Sequence, residues 1–132
     1  MVRASLALVA LALLATFIVA GCGNDDSSEV EAVRAATAAE AVEMLEARTV
    51  VDVRTPAEYA AGHVAGAVNI DVEASDFAER VAELDPEAPY LLYCRSGRRS
   101  AIAAEIMAEA GFTDIIDAGG LEPLAEAGAP IE

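Results

Sequence analysis

Residues 91–107 read LLYCRSGRRSAIAAEIM. The stretch falls into three parts with different physical demands. The apolar run that begins at APYLLYC (88–94) is short and introduced by a proline, and it reads as a buried strand ending at Cys94. RSGRR (95–99) is polar and contains a glycine, so it must be a turn. Residues 100–110 are alanine-rich and predict a helix, with Ser100 a candidate N-cap and Gly111 placed to stop it. A strand, a tight turn and a helix in that order form half of a parallel β–α–β unit.

The same alternation continues on both sides. VEAVRA (30–35) predicts a short first strand, and TAAE (37–40) is a capping box opening a helix that runs to about Ala47. TVVDV (49–53) is a β-branched run typical of a strand buried on both faces. TPAE (55–58) is a second capping box, with Pro56 at the first helical position and Gly62 as the stop. GAVNI (66–70) predicts a strand, and Phe77, Val81 and Leu84 share one face of a helix over 76–84. TDIIDA (113–118) predicts the last strand and GGLEPLAEAG (119–128) a turn with a closing helix. The fold class is therefore α/β, with a small central parallel β-sheet and helices on both faces. Ligands of such sheets bind beyond the carboxyl ends of the strands, where Cys94 lies.

Composition makes the RSGRR turn unusual. Eight basic residues, all arginines, face 23 acids, for a net charge of −15. Such a surface repels nucleic acid and anionic headgroups, so nucleic-acid binding is excluded as a function. Yet Arg95, Arg98 and Arg99 follow Cys94 within five residues. A tight turn with Gly97 at its middle can aim backbone N–H groups at one centre, and the helix behind it adds partial positive charge. A free cysteine titrates near ~8.5, and helix N-termini and arginines bring it to roughly 3.5–7.5. Cys94 is thus a candidate thiolate nucleophile. The competing reading is a buried inert cysteine at a strand end beside arginines making surface ion pairs. Buried cysteines are common, but three arginines in five residues, interrupted by a loop glycine, are much less so.

The amino terminus carries a separate message. Arg3 precedes the uncharged apolar run ASLALVALALLATFIVA (4–20), which suits the core of a signal peptide. The run ends in VAGC (19–22), which resembles the lipobox of bacterial lipoproteins. That resemblance implies cleavage before Cys22 and lipidation of its thiol. The expectation is a signal peptide over 1–21, a lipidated N-terminus and tether over 22–35, and a folded domain over 36–132. The mature protein is then exported and lipid-anchored to the extracytoplasmic face of a bacterial membrane. With Cys22 acylated, Cys94 is left without a disulfide partner, and an unpaired thiol in an exported protein is a candidate reactive group.

Three stretches together carry a wider resemblance. CRSGRRSA (94–101) resembles the active-site loop of single-domain rhodaneses, the thiosulfate sulfurtransferases. VVDVRTPAEYAAGHVAGAVNI (50–70) resembles their upstream signature, and GFTDIIDAGGLEPLAEAGAPIE (111–132) resembles their ending. Where that family often has tryptophan after the Gly-Gly pair, this chain has Leu124, which implies a packing difference and a changed site rim.

The resemblance implies a ping-pong transfer in which Cys94 takes sulfur from a small anionic donor and yields it to a thiol or cyanide acceptor. No metal or organic cofactor is required. The amides of Arg95, Ser96, Gly97, Arg98 and Arg99 would stabilise the persulfide. Arg95 and Arg98 would face outward to attract the donor, and Arg99 would close the loop onto an acid. Glu58 is a candidate for that acid, and equally for the cap of its own helix. Asp52 and Arg54 either brace the loop or form a structural ion pair. Ser96 either donates to substrate or is a solvated loop residue. His63 has a structural turn role, with a hydrogen bond from its ring. A small domain on a tether is expected to be a monomer.

Three rivals remain in view. Cysteine phosphatases and arsenate reductases place five residues between cysteine and arginine, whereas four separate Cys94 from Arg99, so the loop fits sulfur better than phosphate. A non-catalytic sulfur-carrier or binding module has no need of the arginine-rich loop. A redox sensor lacks a resolving cysteine.

Overall fold

A computed structural model of the protein describes residues 31–132. The expected signal peptide, Cys22 and most of the tether lie outside the described residues. Five strands, β1 (Val33–Ala35), β2 (Thr49–Asp52), β3 (Val68–Asn69), β4 (Tyr90–Cys94) and β5 (Ile115–Gly120), form one parallel sheet in the order β1-β5-β4-β2-β3. Five helices, α1 (Ala38–Met44), α2 (Pro56–Ala61), α3 (Phe77–Ala82), α4 (Arg98–Glu109) and α5 (Leu121–Glu126), complete the α/β architecture.

Both capping boxes form. Thr37 and Thr55 each accept a hydrogen bond from the amide three residues on, and Glu40 and Glu58 reach back to the threonine amides. A box of this kind contributes about 1 kcal/mol to its helix. The first helix is shorter than expected: α1 ends at Met44 and continues as a 3-10 turn over Leu45–Ala47. The third strand keeps only Val68–Asn69, because a turn with Gly66 at φ +80° precedes it and Ile70 already belongs to the next loop's bond to the Asp52 carbonyl. The helix expected over 76–84 narrows to α3. The sheet also takes in residues 33–35, so the folded domain includes residues before its expected start at 36.

Strand alternation divides the core in two. Val51, Val53, Leu92, Cys94 and Ile115 point to one face, where they pack with Phe77, Val81, Ala103 and Met107 of α3 and α4. Val50, Leu91, Tyr93, Ile116 and Ala118 point to the other, where they pack with Ala41 of α1 and Leu124 of α5. Leu124 is fully buried there, a packing position inside the core. Both faces of β4 are thus covered, which is why its sequence is continuously apolar. The chain runs from β2 outward to β3, then returns to β4 and proceeds to β5 on the other side. The sheet's switch point therefore falls between the carboxyl ends of β2 and β4.

Candidate active site

Cys94 is the last residue of β4 and is fully buried. Gly97 follows three residues later at φ +96°, a left-handed conformation that glycine adopts without strain. That one residue turns the chain directly into α4, so the helix starts at Arg98, two residues before its expected start at 100. Ser100 is therefore not the N-cap; it lies in the first turn. Gly97 occupies the cap position and has no side chain to offer. The amide of this cap residue is turned back on the sulfur: Gly97 N–H donates to Cys94 Sγ at 3.0 Å.

Burial pushes the Cys94 thiol up, but the Ser100 amide and hydroxyl and the amides of Gly97 and Ser96 together bring it below its ordinary value. The turn thus aims the amides of Ser96, Gly97 and Ser100 at one sulfur atom, which suits it to holding an anion at that point.

The loop is pinned from two sides. Arg99 donates to Glu58 in a fork, Nη1 to Oε2 at 2.7 Å and Nη2 to Oε1 at 2.8 Å, and reaches Glu73 at 3.5 Å. Glu58 also accepts from the amide and hydroxyl of Thr55, so it serves as cap and as ion-pair partner at once. The hydrogen bonds from Arg99 hold the Glu58 carboxyl down to about 2, against the upward push of burial and with further lowering from Thr55. On the second side β5 comes close. Cys94 stands opposite Gly120, and a Cβ on Gly120 would lie 2.5 Å from the Arg95 carbonyl oxygen. Only glycine allows β5 and the loop this approach.

Asp52 and Arg54 are both buried and form an ion pair on the face of the sheet away from Cys94. Arg54 Nη2 lies 2.6 Å from Asp52 Oδ2 and Arg54 Nε 2.9 Å from Asp52 Oδ1. The Tyr93 hydroxyl donates to Asp52 Oδ2 at 2.7 Å and accepts from the Val64 amide at 3.0 Å. Arg54 Nη2 also reaches the Gly62 carbonyl, tying the end of α2 to β2. Neither residue has a hydrogen bond to the loop among those formed, and Arg54 approaches the site only as part of a cavity wall.

That cavity, about 600 Å³, opens beside the loop and is lined by Arg54, Glu58, Arg95, Ser96, Leu121 and Ile131 among others. Arg95, Ser96 and Arg98 are exposed. His63 stacks on Tyr59 with ring centroids 3.7 Å apart, and its Nδ1–H donates to the Tyr59 carbonyl at 2.9 Å.

One neighbour of the sulfur, and the acid behind it, escaped the sequence reading. Ser100 Oγ lies 3.6 Å from Cys94 Sγ, and Asp117 of β5 receives the Ser100 hydroxyl at 2.7 Å. Asp117 is 23 residues from the thiol in sequence, and only the pairing of β5 beside β4 brings it near.

Comparison with known proteins identifies the family of the domain. The family model for the rhodanese-like domain matches residues 37–126. Thiosulfate sulfurtransferase PspE of Escherichia coli is 40% identical over 77 residues, covering 57% of this chain and 72% of that protein. Thiosulfate sulfurtransferase GlpE of Pseudomonas fluorescens is 42% identical over 72 residues, covering 54% and 63%. Among solved structures, a rhodanese-related protein of Thermoplasma volcanium superposes with a TM-score of 0.67 at 33% identity, covering 75% of this chain and 97% of that one. The family model spans residues 37–126, well over half of the chain, and this chain therefore belongs to the rhodanese-like domain family.

Proposed function

We propose that the protein is a sulfurtransferase that carries sulfane sulfur on Cys94. The observation that supports this most strongly is the set of amides aimed at the sulfur: Gly97 N–H at 3.0 Å from Sγ, at the start of α4, with the thiol below its ordinary value. Because Cys94 is covered by its own loop, a donor approaches through the exposed Arg95–Ser96 mouth and the loop shifts to admit one sulfur atom. The Cys94 thiolate attacks the outer sulfur of thiosulfate. The S–S bond of the donor breaks, its electron pair leaves with sulfite, and Cys94 becomes a persulfide anion. Cyanide or a thiolate then takes the outer sulfur and returns Cys94 to the thiolate. The negative charge moves by one sulfur atom, from Sγ to the outer atom of the persulfide, and stays within the turn whose fixed amides face it, which is the condition for electrostatic preorganisation to help.

The arginines divide by exposure. Arg95 and Arg98 face solvent and offer charge to an incoming anion, while Arg99 is committed to Glu58 and fixes the loop. The four residues between Cys94 and Arg99 favour a sulfur-sized anion over a tetrahedral phosphate. The test is turnover: with thiosulfate and cyanide the protein should form thiocyanate, and Cys94→Ser should form none. Wild-type protein that binds thiosulfate without producing thiocyanate would instead indicate a carrier or binding module.

The amino-terminal VAGC pattern supports a second element of the proposal, that Cys22 bears a lipid and the domain works as an exported, membrane-anchored monomer. Two or three acyl chains suffice for stable attachment where one does not.

A further inference from the structure

Ser100 is fully buried, and its hydroxyl has three polar neighbours: Asp117 Oδ1 at 2.7 Å, the Gly97 carbonyl at 3.0 Å and Cys94 Sγ at 3.6 Å. A serine hydroxyl has one proton and two lone pairs. The carboxylate and the carbonyl are both acceptors, so they compete for that proton. The charge-assisted bond to Asp117 is the shorter and stronger one. With the proton on that side, Ser100 presents a lone pair to the sulfur. A lone pair is a good partner for an S–H group and a poor one for a thiolate.

We infer that Asp117 is a positioning residue for Cys94 that acts through Ser100: it holds the hydroxyl proton while the thiol is protonated, and the hydroxyl must turn from carboxylate to sulfur when Cys94 carries charge. No proton travels along the chain. Rotation about the serine Cβ–Oγ bond exchanges one hydrogen bond for another, and the thiol proton leaves to water. The resting site thus withholds a donor that the charged site can use, so the nucleophile and the persulfide anion draw on a hydrogen bond that the uncharged thiol does not.

The charged surroundings allow this. Arg99 on α4 is the cation that feels Cys94, and it is already paired with Glu58. Asp52 and Arg54, at the end of β2, neutralise each other on the far face. Asp117 also accepts from the Gly119 amide at 3.1 Å, and it borders a second cavity that Glu31, Glu105 and Glu109 share. None of these acids has a hydrogen bond to Ser100 among those formed in the described residues, so Asp117 is the carboxylate that competes with sulfur for its proton.

The inference rests on Cys94 as the sulfur-bearing nucleophile, but its test needs no sulfur donor. In the full chain carrying Cys22→Ala, Cys94 is the only thiol. The rate of its alkylation by iodoacetamide against pH reports the thiolate. Asp117→Asn keeps the acceptor for Gly119 and can donate an amide N–H to Ser100, which frees the hydroxyl for sulfur. The profile should move to lower pH by about half a unit, or about threefold in rate on its rising limb. In a Ser100→Ala background the same Asp117→Asn change should move it by less than half as much. Equal shifts in both backgrounds mean that Asp117 acts by its charge alone, and they overturn the inference; so does no shift at all. A readout without any Asp117 variant is the S–H stretching band of the protonated thiol, which should rise in frequency in Ser100→Ala. An unchanged band also overturns it.

Discussion

Glu58 holds two structures together with one carboxylate: Oε2 accepts from the Thr55 amide at 3.1 Å and from Arg99 Nη1 at 2.7 Å, while Oε1 takes Arg99 Nη2 at 2.8 Å. The start of α2 and the start of α4 are therefore fixed by the same group. A helix cap that local sequence requires doubles as the anchor of a loop in another part of the chain.

Glu58→Gln should keep the cap and lose the ion pair. We expect a stability loss of about 1–2 kcal/mol at neutral pH, less than the full pKa shift implies because the pair is partly exposed. The carboxyl is lowered to about 2 in the folded protein, so its contribution is complete above the unfolded value and disappears as pH falls through the folded one. Urea unfolding of wild type and variant should differ most above about pH 5 and converge near pH 2, given an unfolded glutamate near ~4.3. A gap that stays constant down to pH 2 would contradict this role. Turnover should fall as well, since Arg99 loses its anchor.

Gly120 is the test of how closely β5 must approach the loop. Gly120→Ala places a methyl group 2.5 Å from the Arg95 carbonyl oxygen and 3.2 Å from its carbon, with Cδ of the Pro123 ring at 3.5 Å. Overpacking of this kind costs about 1–3 kcal/mol, and here the strain falls on the sulfur-binding turn. Gly119→Ala meets no atom within 4 Å but adopts φ +77°, so its cost of about 1–2 kcal/mol is conformational. Thermal unfolding should show two comparably destabilised proteins, and thiocyanate formation should fall much further in Gly120→Ala. Equal activities in the two variants would mean that the close approach does not shape the loop.

How much of this was legible in the sequence depends on the range of each interaction. The two capping boxes are local patterns, and they form as written. The parallel α/β order follows from the alternation of apolar runs and helical faces, whereas Glu58 is nameable as a partner for Arg99 only through the family resemblance, which sets the first signature beside the active-site loop. The start of α4 is not legible to the residue, because Gly97 in a left-handed conformation begins the helix where a serine-capping rule puts a loop. The placement of Asp52 and Arg54 depends on register. Asp52 stands beside Tyr93, not Cys94, and alternation sends those two β4 neighbours to opposite faces. Asp117 carries no local signal at all, since its relation to Ser100 exists only once β5 lies beside β4.

The proposed lipid on Cys22 concerns location alone. If it carries the lipid, Cys22→Ala should leave the protein in the soluble fraction or trapped as its longer precursor, and detergent partitioning of the wild type should show the acylated form. A variant that partitions into detergent as the wild type does, with the same mass, would contradict the anchor.

The most direct measurement is the mass of the protein after thiosulfate alone, with no acceptor present. The half-reaction isolates the claim that Cys94 is the sulfur carrier, apart from any choice of acceptor. Intact-mass and peptide spectra should show a single added sulfur on the peptide containing Cys94, removable by cyanide and absent in Cys94→Ser. A wild-type protein that gains no sulfur, or gains it at Cys22 alone, would contradict the account.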